Sequence, residues 1–308
     1  MRRFLIGVAA LAAIMLATDT RAVLVAQQRA TFTAAARLVL VSVTVRDDRG
    51  RPVTGLTQGD FEVWSDDTRP AITEFSAEAS PITTALLVDQ SGSMQVSSNI
   101  TAAREAARHL VSWMTPATDR LGLFTFDSIL TSIGTPGAGP FSAVSPDSLA
   151  RLSQVMPFGL TSLYDAVDAT SAALMTDAAP RRAVVAFTDG MDTASVLTAA
   201  EVSARAAAID VPVYIVAVVP PVDDPSSGVE SGLPETALAQ LANWTGGQLF
   251  VSSAPSHASH AARTIITDLR QQYLLAFTAD TRPGWHRLTV RTRQHQNTVR
   301  TRAGYVTR

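Results

Sequence analysis

The sequence predicts an α/β protein: a mostly parallel sheet covered by helices, with a small β-module contributed by the two ends of the chain. Two observations predict it. Short apolar runs, among them Ala85–Val88, Ala183–Phe187 and Val211–Val219, have the character of strands buried on both faces, which is how parallel strands lie. Segments of helical periodicity separate these runs, whereas the stretches towards either end alternate as short strands between Asp-, Gly- and Pro-rich turns. The 308 residues suit one large or two modest domains, and 46% apolar against 17% charged residues suits a packed core rather than disorder. A formal net charge of −2 gives no case for a nucleic-acid partner. The chain has no lysine and no cysteine, so neither disulfide nor lipoprotein thiol enters the reading.

Residues 1–26 read as a signal peptide and lead-in. Met1-Arg2-Arg3 is a basic start, and Phe4–Ala17 is an apolar run too short for a membrane span. Thr20-Arg21-Ala22 and Val25-Ala26 both offer cleavage points, and a retained N-terminal anchor is the alternative. The expectation is an exported protein, periplasmic or extracellular. Val23–Ala36 continues as a polar, alanine-rich lead-in.

Residues 37–78 form the N-terminal β segment. Leu38–Val45, Phe61–Trp64 and Ile72–Phe75 are its strands, separated by turns at Asp47–Pro52 and Asp66–Pro70. Asp47, Asp48, Asp66 and Asp67 fit no calcium-loop spacing, and turn chemistry accounts for them.

From Thr83 the β/α alternation begins. The strand through Ala85–Val88 ends in Asp89-Gln90-Ser91-Gly92-Ser93, which sets a carboxylate and two hydroxyls at i, i+2 and i+4 on the turn at its carboxyl end. Ligand sites of open α/β sheets lie at that end, and such hard oxygens suit Mg²⁺, Mn²⁺ or Ca²⁺. Ile100, Ala103, Ala107, Leu110, Val111 and Met114 trace one face of the next helix, which Pro116 stops. Leu121–Phe126 is a strand ending at Asp127, and Ile129–Ile133 pairs beside it. Pro146 opens a short helix to Met156, capped by Ser145. Thr161 leads the helix carrying Leu163, Ala166, Val167, Thr170 and Leu174, with Tyr164 and Asp165 either orienting Thr161 or serving as ordinary helix-start residues. Ala183–Phe187 is a buried strand followed by Thr188-Asp189-Gly190. A helix over Thr198–Ile209 leads to Val211–Val219, read as a central parallel strand. Pro220–Pro234 is a long loop, Glu235–Thr245 a helix closed by Gly246-Gly247, Gln248–Val251 a short strand, and Ser256–Gln272 a closing helix.

Three strand-to-helix loops thus supply Asp89, Ser91, Ser93, Thr161 and Asp189 in that order. This resembles the von Willebrand factor type A domain and its metal-ion-dependent adhesion site, D-x-S-x-S … T … D. The resemblance implies a Rossmann-like doubly wound sheet over residues 82–272. It also implies that Ser91, Ser93 and Thr161 touch a divalent ion, with Asp89 and Asp189 binding directly or through water. The implied function is metal-dependent protein binding or adhesion, with Mg²⁺ (or Mn²⁺ or Ca²⁺) as cofactor and a partner's Asp or Glu carboxylate completing the shell.

Residues 273–308 return to β-strands, Tyr273–Thr278, His286–Thr292 and Thr298–Tyr305, and are expected to pack with the N-terminal segment. The segments Val43–Phe61, Tyr273–Phe277 and Arg302–Tyr305 resemble those of a bacterial VWFA-related family of acidobacterial type. The arginines of this end (Arg282, Arg287, Arg291, Arg293, Arg300, Arg302 and Arg308) read as a solvated strand face rather than an anion-binding patch.

Two other functions compete. A metal-dependent hydrolase would use Ser91, Ser93 or Asp89, but none of His109, His257, His260, His286 and His295 follows a core strand, and no nucleophile elbow or phosphate loop is present. A structural module with a degenerate ligand site is the other. The expectation is a non-enzymatic protein whose histidines lie at the surface, with no membrane contact beyond a retained leader.

Overall fold

The computed structural model describes residues 38–134, 137, 139–144, 146–177, 179–219, 235–294 and 296–307. The leader, the Ser145 cap, the Pro220–Pro234 loop, His295 and Arg308 lie outside them.

The chain opens with β1 (Leu38–Arg46), β2 (Phe61–Ser65) and β3 (Ile72–Ser76). It then builds an α/β core from β4 (Ile82–Asp89), α1 (Asn99–Ser112), β5 (Arg120–Phe126), β6 (Leu130–Ser132), β7 (Ser142–Ala143), α2 (Pro146–Leu152), α3 (Leu163–Leu174), β8 (Arg181–Thr188), α4 (Ala199–Ala208), β9 (Val213–Val218), α5 (Glu235–Thr245), β10 (Leu249–Ser252) and α6 (Pro255–Gln271). The chain closes with β11 (Tyr273–Thr278), β12 (Gly284–Thr292), β13 (Thr298–Arg300) and β14 (Gly304–Thr307).

The core sheet runs β10-β9-β8-β4-β5-β6, with β7 also on β5. β4 pairs in parallel with both β5 and β8, and β9 and β10 continue the parallel run, while β6 and β7 are antiparallel additions. Every residue of β4 is buried because helices cover both faces. Leu86 and Val88 pack with α1 and α6, whereas Ala85 and Leu87, one step out of phase, pack with α3, α4 and α5. This is the doubly wound arrangement.

Four expectations need correction. Val213–Val218 is not central but lies next to the edge, under β10; its unbroken apolar character comes from cover on both faces, not from rank in the sheet. The helix opened by Pro146 ends at Leu152, not Met156. Its last turns close as Ser153 N–H to Ala150 O and Gln154 N–H to Arg151 O (3.2 and 3.0 Å), and Pro157 disfavours helical backbone at Met156. Thr298–Tyr305 is not one strand: it breaks around Arg302, and its halves, β13 and β14, join different sheets. His286 is not a surface residue but is buried on β12.

The β-module comprises a sheet of order β13-β1-β11-β3 and a sheet of order β14-β12-β2. The two share one apolar cluster, in which Val41 and Val43 meet Phe61, Val63, Leu275, Phe277 and Leu288. Arg282, Arg287, Arg291 and Arg293 are exposed, as a solvated strand face requires, but Arg300 and Arg302 are turned inward, which corrects that reading at these two positions. Arg302 is 4% exposed; it donates to the carbonyls of Leu40, Ala207 and Ala208 and pairs with Asp210. Arg300 and Arg46 both pair with the buried Asp268 near the end of α6. Arg181, at the start of β8, donates to the carbonyls of Leu269, Arg270 and Glu78. Arg181 and Arg302 thus satisfy carbonyls left open at the C-termini of α6 and α4, and Arg46, Arg300 and Arg302 tie the module to the core.

Candidate metal centre

The opposite end of the sheet carries the candidate residues. Asp89 closes β4 and is fully buried. One carboxylate oxygen accepts the Ser91 N–H at 2.8 Å, and the other accepts the Thr188 hydroxyl at 2.6 Å. The first bond forms the turn that brings Ser91 and Ser93 round, and their hydroxyl oxygens stand 3.0 Å apart. Asp189 follows Thr188 at the end of the adjacent strand. Gly190 then reverses the chain with φ +90°, a conformation that costs glycine little, and donates its N–H to the Thr188 hydroxyl at 3.1 Å. Burial, reinforced by the negative field of Asp189, pushes the Asp89 carboxyl up to about 6 against the pull of its Thr188 and Ser91 hydrogen bonds. Among the described residues no arginine pairs with either carboxylate.

Thr161 is buried at the start of α3, and among the described residues its hydroxyl has no hydrogen-bond partner. Backbone bonds hold its loop to both others. On one side, Phe158 N–H reaches Gln90 O at 2.7 Å and Gly92 N–H reaches Gly159 O at 3.0 Å. On the other, the Thr161 carbonyl accepts N–H groups of Thr193 and Ala194, both at 2.9 Å, while Thr161 N–H donates to the Thr193 hydroxyl at 3.0 Å. Hydrogen bonds thus join Asp89 to Ser91 and Ser91 to Ser93, Asp189 follows Asp89's partner Thr188 on the adjacent strand, and the loop of Thr161 is tied to both of these loops through its backbone.

The supporting residues were mostly not foreseen. Asp165 accepts the N–H groups of Val196 and Leu197 at 2.9 and 3.0 Å, which makes it a tie between loops rather than a simple helix start. Asp192 accepts Tyr164 N–H at 3.1 Å, and Asp127 accepts the Gln90 side-chain amide at 3.0 Å. The polar run Asp192–Ser195 was the available signal for the Asp192–Tyr164 tie.

A second group of metal-capable side chains, Asp66, Asp280 and His286, lies in the β-module with its ligand atoms within 4.8 Å of one another. Its chemistry is different. His286 Nδ1 is 2.8 Å from Asp66, and Nε2 is 2.8 Å from the Arg282 carbonyl and 3.0 Å from the Thr307 hydroxyl. The Arg282 guanidinium bridges both aspartates. Burial alone would lower the imidazole, but Asp66, the Arg282 carbonyl and Asp280 outweigh it and hold its pKa above the ordinary value. Two acceptor-facing nitrogens and a guanidinium already in place make this a closed ion-pair network.

The core is thus an α/β domain with a hydroxyl- and carboxylate-lined cluster at the carboxyl ends of adjacent parallel strands. Residues 84–191, which contain all five candidate residues, match the family model for the von Willebrand factor type A domain. Three solved structures share the fold. The von Willebrand factor type A protein from Catenulispora acidiphila aligns at 12% identity over 89% of this chain and 75% of that one, with a TM-score of 0.51. An aerotolerance-related membrane protein from Bacteroides fragilis aligns at 17% identity over 60% and 98%, TM-score 0.50. Proximal thread matrix protein 1 from the mussel byssus, described with a zinc-occupied MIDAS motif, aligns at 14% identity over 67% and 49%, TM-score 0.51. A search of curated proteins finds no match. No helix among the described residues is long and apolar enough to cross a membrane.

Proposed function

We propose that this is an exported, non-catalytic binding protein that holds a divalent ion with Asp89, Ser91, Ser93, Thr161 and Asp189 and captures a protein partner through an Asp or Glu carboxylate. One observation carries the reading: two neighbouring carboxylates, one fully buried, stand among hydroxyls with no described arginine to neutralise them. A buried uncompensated charge is costly, and a cation is the ordinary remedy. The donor set is entirely oxygen, which suits Mg²⁺, Mn²⁺ or Ca²⁺; the zinc described for the mussel protein keeps Zn²⁺ among the ions to test.

In this reading Asp89 and Asp189 supply the negative charge, and Ser91, Ser93 and Thr161 supply neutral oxygens. A bound dication with an open coordination position would then attract an external carboxylate, because a hard ion prefers an anionic oxygen to a neutral hydroxyl or water. The chain's own contribution is to hold these donors in place through the backbone ties among the three loops.

Thermal melting of the mature protein in EDTA, Mg²⁺, Mn²⁺, Ca²⁺ and Zn²⁺, beside Asp189→Ala, tests this. An ion at a hundred times its Kd stabilises by about 2.7 kcal/mol, which is readily seen as a raised Tm. The expected result is a rise in wild type that is absent in Asp189→Ala. No rise with any ion, or an equal rise in the variant, overturns the assignment.

A further inference from the structure

The loops that carry the candidate metal residues are fringed by apolar side chains facing solvent. Met156, Phe158 and Leu160 are 80%, 79% and 57% exposed, while Pro157 between them is buried. Val96, three residues after Ser93, is 60% exposed, and Met191, two after Asp189, is 47% exposed. Single exposed apolar residues are ordinary, but five on three loops joined around one site form a patch of the kind that marks an interaction surface.

The ridge is held in this orientation. Its backbone is fixed by the Phe158–Gln90 and Gly92–Gly159 bonds already described. Two side chains add to them: Gln95 donates to the Pro157 carbonyl at 2.7 Å, and Arg104 donates to the Val155 carbonyl. Met156, Phe158 and Leu160 therefore face solvent from a pinned segment.

Charge restricts what can cover the patch. The loops 89–98, 127–129, 153–162 and 189–198 contain no arginine, and they carry Asp127 and Asp192 besides the two candidate ligands. Asp165, at the start of α3, adds a further acid. Even with a dication bound, this end of the domain stays negative, which disfavours an anionic lipid surface or a polyanion. A single carboxylate set among apolar side chains meets both features.

We infer that Met156, Phe158, Leu160, Val96 and Met191 form a contact rim whose partner is a protein segment presenting one acidic side chain flanked by apolar residues. The inference rests on the metal reading above.

The test uses a dye-labelled peptide with one central aspartate between leucine and phenylalanine residues. It is titrated by fluorescence anisotropy with wild type and with Phe158→Ser/Leu160→Ser, in Mg²⁺ and in EDTA. A peptide with serine flanks and one with asparagine for the aspartate are the controls. Wild type should bind the first peptide only in Mg²⁺. The double variant, and the serine-flanked peptide, should each weaken binding by about tenfold or more, as loss of aromatic and aliphatic anchors does. The Mg²⁺-induced rise in Tm should be the same in both proteins. Equal binding by wild type and variant, or of apolar and serine flanks, with the Tm rise intact, overturns the rim and leaves the metal reading standing. Absence of the Tm rise in both proteins overturns the metal reading itself. Metal-independent, Phe158-dependent adsorption to phosphatidylcholine vesicles overturns the protein-partner assignment in favour of a membrane surface.

Discussion

Asp268→Asn tests how the β-module is fastened to the α/β domain. The Asp268 side chain is 0% exposed, and each of its oxygens takes one guanidinium, Arg46 from the end of β1 and Arg300 from β13. The arginine side chains are themselves only 15% and 17% exposed. Burial drives the Asp268 carboxyl up, and the two guanidiniums pull against it, so the cluster as a whole adds little net stability. Removing its only anion is a different matter. Asparagine keeps one acceptor and turns an N–H₂ towards the other guanidinium, leaving two half-buried cations without a counter-charge. The other acceptors of these guanidiniums, the Gly50 carbonyl for Arg46 and the Gln248 side chain for Arg300, are neutral, so no described carboxylate takes over. The expected loss is about 3–5 kcal/mol, or roughly 10 °C in Tm for a unit of this size. Urea unfolding followed by circular dichroism measures it. The companion variant Arg46→Leu/Asp268→Leu/Arg300→Met should recover most of the loss, because replacing a buried triad with apolar groups of similar size is often neutral. A loss below about 1 kcal/mol for Asp268→Asn would refute the argument that this carboxylate compensates buried charge.

Other outcomes follow from the same geometry. Gly247→Ala places a Cβ 2.0 Å from the Val213 carbonyl oxygen, a backbone atom that cannot step aside without parting β9 from the turn into β10; a loss of about 3 kcal/mol is expected in chemical denaturation. Stability should also have an alkaline limb. The His286 pKa is raised above its ordinary 6.5, so its contribution is complete below 6.5 and is lost as pH rises through the folded-state value. Asp66 is lowered below 3.8 by its His286 hydrogen bond, so its contribution is complete above 3.8 and is lost as pH falls through its folded-state value. Melting temperatures across pH 2 to 9 should therefore be highest between these ordinary values, and His286→Asn should flatten the alkaline side and, because Asp66 loses its main hydrogen-bond partner, the acid side as well.

The doubly wound core was legible because burial on both faces leaves an unbroken apolar run, and β4 and β8 read that way residue by residue. The strand-end positions of Asp89 and Asp189 were legible for the same reason: a strand pattern stops where the loop begins. The bonds that gather the loops were not. Thr161 to Thr193 and Phe158 to Gln90 are contacts through backbone atoms, which every residue carries, so they leave no spacing in the sequence. His286 was misread because its partners, Asp66, Arg282 and Thr307, come from three separated segments. The break at Arg302 escaped notice because what interrupts the strand is a long-range pull towards Asp210 and the C-terminus of α4, while the local pattern stays β-like.

The two ends of the core sheet do different work, and this division bears on the site. Arg181 opens β8 at the module end, and Thr188 closes it beside Asp89; eight residues of strand separate the ends by about 25 Å. Helix C-termini, buried arginines and the module's apolar cluster are concentrated at the first end. At the second, the loops are joined chiefly to one another, by short backbone bonds and by aspartates that accept N–H groups. A site that keeps two carboxylates together without a described arginine is locally unfavourable, and it can persist because the fold is secured elsewhere. The same separation predicts that Asp268→Asn, where it still folds, should retain the ion-induced rise in Tm from its lower starting point. Asp189→Ala should abolish that rise without weakening the metal-free protein. If the two variants instead lost ion response together, the ends of the sheet would be coupled, and the rigid-scaffold account of the site would fail.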